Sequence, residues 1–116
     1  MKKSTITIDV HMDDNRMPEE INWGATDSTI QNEQKAKAMI LSFWNGAEKE
    51  ALRIDLWTQH MMVDEMADFF YQTLMTMADT YGRATHYEDQ VTDMKNFAKD
   101  FYKKFQQKQL EQNKAG

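Results

Sequence analysis

Cysteine is absent from this 116-residue chain and proline occurs once, at Pro18. Without a thiol there is no disulfide, no thiolate metal site and no cysteine nucleophile. The four glycines are scattered, so neither a phosphate loop nor a dinucleotide-binding turn can be built from them. Serines occur only at Ser4, Ser28 and Ser42, and none stands in a nucleophile-elbow pattern. No run of about 18 apolar residues is present, so membrane insertion is not expected. Basic residues are outnumbered 14 to 19, and a net charge of −5 argues against a nucleic-acid binder, which needs a dense basic surface. That charge is unevenly spread. From Lys95 to Gly116 six lysines face only Asp100 and Glu111, a local +4 that leaves −9 on the remainder.

What is present suits one globular domain spanning 1–116, with 41% hydrophobic and 28% charged residues. In "TITIDVHM" Ile6, Ile8, Val10 and Met12 alternate with polar partners, the period of a half-buried strand. The opening "MKKSTITIDV" thus reads as a strand rather than a signal peptide, and a cytoplasmic location is expected. "DDNRMPEE" is a turn, and a second strand carries Ile21, Trp23 and Ala25 on one face. Ser28 to Gln34 reads as a loop. A third strand follows in "KAKAMILSFW", and Asn45-Gly46 gives a hairpin signal leading into "ALRIDLW".

After Trp57 the apolar period lengthens. Met62, Met66, Phe69, Phe70, Leu74, Met77, Ala78 and Tyr81 make one helical stripe, ended at Gly82. "THYE" has the form of a capping box, Thr85 with Glu88, and opens a second helix. Its stripe is Val91, Met94, Phe97, Ala98, Phe101, Tyr102 and Phe105. The expected fold is α+β: a four-stranded antiparallel meander over about 4–57, then helices over about 62–82 and 86–108 packed on one face of it. The tail to 116 has only Leu110 to bury and is expected to fray.

Candidates for chemistry are sparse. His60, Asp64 and nearby Asp55 could form an acid/base pair or part of a small-ligand or metal site. Asp13, Asp14 and Asn15 lack the ligand alternation and distal glutamate of a calcium loop. No catalytic residue, metal site or cofactor is assigned, and a non-enzyme is expected. Ten methionines fit either adaptable binding or core filling, and their helical spacing favours the core. The remaining candidates are aromatic. Arg53, Asp55 and Trp57 share one face of the last strand, and Trp44 lies on the strand before it. These four residues are either a recognition surface for a protein partner or a packed, salt-bridged part of the scaffold.

The strings "KKSTITIDVHMDDNRMPEEINWGATD", "LRIDLWT", "MMVDEM" and "FFYQTLMTMADTYGRAT", in that order and followed by a closing helix, resemble the gliding-motility GldC family of Bacteroidetes. The resemblance implies a small cytoplasmic accessory or adaptor protein without assigned activity, cofactor or binding residues. Together these readings give a non-enzymatic protein acting by protein contact through Arg53, Asp55, Trp57 and Trp44, with a homodimer as an accompanying arrangement. The alternative is a ligand or metal domain built on His60, Asp55 and Asp64.

Overall fold

The computed structural model describes residues 2–26 and 33–115. Most of the loop expected over Ser28 to Gln34 lies outside the described residues. The chain divides into two compact units, Met1–Met61 and Met62–Gly116.

The first unit is built of strands. Ile6–Met12 (β1) and Pro18–Ala25 (β2) form an antiparallel hairpin with Val10 opposite Ile21 and Ile8 opposite Trp23. Asp13 shapes its turn, its carboxylate accepting the backbone N–H of Asn15 at 2.8 Å and of Met17 at 2.9 Å. Pro18 opens β2 where the register shifts past Glu19, a bulge that spares the ladder a missing donor. A short strand, Gln34–Ala36 (β3), adds to the other side of β2, with Ala36 opposite Ile21. Ile21 thus sits in the middle strand between Val10 and Ala36, and it is 1% exposed, the largest fully buried apolar side chain among the described residues.

Ala38–Asn45 (β4) and Glu50–Trp57 (β5) make a separate two-stranded sheet. The α+β class therefore holds, but five strands in two small sheets replace the single four-stranded meander expected above. The segment read as one strand, "KAKAMILSFW", changes partner at Lys37. Its carbonyl accepts both the N–H of Thr58 at 2.7 Å and the Thr58 hydroxyl at 2.8 Å. Thr58, 2% exposed, is thereby satisfied and ties the end of β5 to the point where the chain leaves the first sheet. Strands that pass from one sheet to another commonly do so at such a bend.

The second unit is an antiparallel helical hairpin, Val63–Thr85 (α1) and Glu88–Ala115 (α2). The helices meet through small residues. Ala78 and Ala98 are wholly buried and Ala67 and Val91 nearly so. Tyr71 and Tyr102 pack with ring centroids 5.1 Å apart, and Lys95 pairs with Asp79 at 2.7 Å across the interface. Both helix boundaries differ from the sequence expectation. Gly82 does not end α1, which continues to Thr85 and closes on His86 in the left-handed conformation (φ 62°), whose N–H reaches the carbonyl of Gly82 at 2.8 Å. The capping box also fails. Thr85 is the last residue of α1, and its hydroxyl donates back to the Tyr81 carbonyl and accepts the N–H of Tyr87. At the far end α2 extends to Ala115, beyond the expected end near 108. The apolar stripes are narrower than expected, because Phe70, Met77 and Phe97 are exposed.

The start of α1 is half-capped. The Glu65 carboxylate accepts the backbone N–H of Met62 at 3.1 Å, but methionine offers no oxygen in return. Met62 is exposed and extended (φ −87°, ψ 158°), the backbone of an N-cap. Met62→Ser completes the reciprocal pair. It should stabilise the helical unit by about 0.5–1 kcal/mol, seen as a higher midpoint for loss of the far-ultraviolet helix signal.

Candidate partner-binding face

The β4–β5 hairpin begins with its turn. The Asn45 side-chain oxygen accepts the N–H groups of Ala47 at 3.1 Å and Glu48 at 3.2 Å, and Lys49 closes the loop with φ at 56°. An Asx-type turn followed by a left-handed residue brings the two strands into register with Asn45 opposite Glu50. From there the pairs run Trp44 with Ala51, Phe43 with Leu52, Ser42 with Arg53, Leu41 with Ile54, Ile40 with Asp55, Met39 with Leu56 and Ala38 with Trp57.

Cross-strand partners point to the same side, so the register sorts the hairpin into two faces. One is apolar through Met39, Leu41, Phe43, Leu52, Ile54 and Leu56 and ends at the turn in Asn45 and Glu50. The other holds Ala38, Ile40, Ser42, Trp44, Ala51, Arg53, Asp55 and Trp57. All four residues singled out from the sequence, Trp44, Arg53, Asp55 and Trp57, therefore lie on one face. Trp44 is 68% and Trp57 61% exposed, each opposite an alanine. Between them Arg53 Nη2 donates to Asp55 Oδ2 at 2.8 Å. The pair is open to solvent and worth well under 1 kcal/mol to folding. Its effect is to hold a planar donor group and a carboxylate side by side at the centre of the face.

The histidine cluster has a different fate. Asp55 is engaged by Arg53, and Asp64 lies in the first turn of α1, where its carboxylate accepts the N–H of Glu65 at 3.0 Å. His60 follows β5 in a turn and lines a shallow groove of about 440 Å³ with His11, Glu20, Lys35 and Thr58. Among the described residues no group of three or more His, Asp or Glu side chains could hold a metal ion. In this groove Lys35 bonds Glu20 at 3.1 Å, and Asn22 donates to the same carboxylate at 3.3 Å. The hydrogen bond from Lys35, then that from Asn22, holds the Glu20 carboxyl below its ordinary value.

Sequence reasoning missed the Lys37–Thr58 junction that starts the hairpin. The two residues stand 21 apart, and no local pattern links them; only the pairing of the strands brings them together.

No helix among the described residues is long and apolar enough to cross a membrane. No curated protein and no solved structure matches the chain. The family described as "Gliding motility-associated protein GldC-like" matches residues 18–107, which includes β2 through both hairpin strands, all of α1 and most of α2. That match spans well over half of the 116 residues, and the chain belongs to the GldC-like family.

Proposed function

We propose that the chain is a non-enzymatic accessory protein of gliding motility that works in the cytoplasm by holding another protein on the Trp44/Arg53/Asp55/Trp57 face of the β4–β5 hairpin. The observation that carries this reading is the exposure of two tryptophans on the same face as a solvent-open arginine–aspartate pair. An isolated exposed apolar residue needs no explanation. Two indoles flanking a guanidinium on one regular surface have the composition of an interface centre, where tryptophan and arginine carry most of the binding energy. Each indole supplies a large rigid area with a donor at its edge, and Arg53 supplies directional hydrogen bonds.

The test is affinity capture from a gliding bacterium that carries this protein, with wild type compared against Trp44→Ala/Trp57→Ala and Arg53→Ala. Truncating a central anchor typically costs about 2 kcal/mol or more of binding, roughly 30-fold or more in Kd. The expected result is that the variants lose motility-apparatus proteins held by the wild type while their melting temperatures stay near that of the parent, because the removed side chains are exposed. Retention of every partner by these variants would remove the assignment.

A further inference from the structure

We propose that the outer edge of β5 pairs antiparallel with the same strand of a second copy, across a two-fold axis at Ile54, making a four-stranded sheet in the order β4, β5, β5 of the second copy, β4 of the second copy. The inference goes beyond the partner-binding reading and stands or falls separately from it.

Three observations point to this occupant. The hairpin forms a sheet of only two strands, and β5 has no strand on its outer side among the described residues. A sheet of two strands is at best marginal, whereas three or more with an apolar face are stable. The apolar face of this hairpin is also open, with Leu52 50%, Ile54 55% and Phe43 60% exposed. An exposed apolar strand edge is a template for pairing with another chain. The third observation is the order of residues in "ALRIDLW", which identifies that chain as a copy of itself.

With Ile54 on the axis, Arg53 falls opposite the second copy's Asp55, and Asp55 opposite its Arg53. Leu52 meets the second copy's Leu56, and Ala51 meets its Trp57. Within this string both charges face their opposites, both leucines face leucines, and the indole lies against an alanine, as it already does at Ala38. The Arg53–Asp55 pair of each chain then becomes one ring of four alternating charges. The chemistry is self-complementary in the way a two-fold interface requires. β4 contains no charged residue with which to set such a register.

Pairing also changes the recognition face. Within one hairpin Trp44 and Trp57 stand at opposite ends, about 20 Å apart along the strands. Across the pairing, Trp44, Ala51 and the second copy's Trp57 occupy one row, which brings the indoles to within about 10 Å of each other. The four-stranded sheet carries two such pairs, with the charge ring between them.

The experiment is a charge exchange read by sedimentation equilibrium. Wild type is expected at twice the 13.7 kDa mass of the chain. Arg53→Asp places two aspartates opposite each other twice, and Asp55→Arg does the same with arginines. Each should weaken the dimer about 100-fold and sediment as monomer. The double exchange Arg53→Asp/Asp55→Arg restores opposite signs and should dimerise, and a mixture of the two single variants should form the heterodimer. Because a single exchange could impair folding, Ile54→Cys gives a charge-neutral check. It introduces the sole thiol of the chain on the axis, within disulfide reach of its counterpart, and should oxidise to a covalent dimer. Leu52→Cys should not link to itself but should link to Leu56→Cys. Wild type that remains monomeric at high concentration, single exchanges that dimerise like wild type, or Ile54→Cys that fails to cross-link would each overturn the proposal.

Discussion

Ile21→Ala should destabilise the Met1–Met61 unit by about 2–5 kcal/mol, the range for removing a fully buried aliphatic side chain and leaving its cavity. The high end is expected for two reasons. Ile21 lies in the central strand, between Val10 on β1 and Ala36 on β3, so neither neighbour can close the gap without breaking a ladder. Among the described residues of this unit it is also the one large apolar side chain almost wholly removed from water, at 1% exposed. A small unit has little stability to spare against such a loss. The measurement is urea unfolding followed by tryptophan fluorescence. All three tryptophans, Trp23, Trp44 and Trp57, belong to this unit, so the signal reports on it without interference from the helices. Ile21→Val should cost only about 0.5–1.5 kcal/mol. Equal midpoints for Ile21→Ala and wild type would show that Ile21 is not the core of this unit.

Gly82→Ala should destabilise the helical hairpin, although alanine in a helix interior ordinarily gains about 1 kcal/mol over glycine. A Cβ placed on Gly82 would lie 3.0 Å from Cγ2 of Val91, closer than two methyl groups normally approach. Val91 is nearly buried and branched at Cβ, so its rotamer has little room to change in a helix. Overpacking of this kind costs about 1–3 kcal/mol, which outweighs the propensity gain and leaves a net loss of up to about 2 kcal/mol. The decisive comparison is the double-mutant cycle. Val91→Ala alone should destabilise by opening space, but on the Gly82→Ala background it should recover stability, a coupling of opposite sign to simple additivity. The far-ultraviolet helix signal is the readout. Additive losses would mean that Gly82 and Val91 do not meet.

These two positions show how differently the chain can be read. Ile21 was legible because alternation places it on an apolar face with Trp23 and Ala25. Gly82 was misread as a helix terminator because a glycine near the end of an apolar stripe has the same local appearance whether it ends the helix or admits a neighbour. The difference depends on Val91, nine residues away on the other helix, whose approach no local pattern records. His86, two residues before α2, closes α1 instead, although left-handed backbone is uncommon for a residue with a side chain.

The candidate site was more legible than the sheet that carries it. In a strand, side chains two apart must point the same way, so Arg53, Asp55 and Trp57 shared a face before any pairing was known. The Asn45-Gly46 signal then made β4 the partner of β5, and the register put Trp44 on that face as well. The His60, Asp55 and Asp64 grouping rested only on nearness in sequence, and that relation weakened once Arg53 engaged Asp55.

By itself, the sequence determined the α+β class, the strand and helix periods, the sharing of a face along β5 and the absence of thiol chemistry, since each depends on residue type and on backbone geometry within a few residues. Only the tertiary structure decided that the strands form two sheets, that β3 and β4 part company at Lys37, and that α1 runs past Gly82 to His86. A hydrogen-bond partner is chosen among groups distant along the chain. The alternation from Lys35 to Trp44 gives no sign of the break, because it records where side chains point and not which strand the backbone bonds.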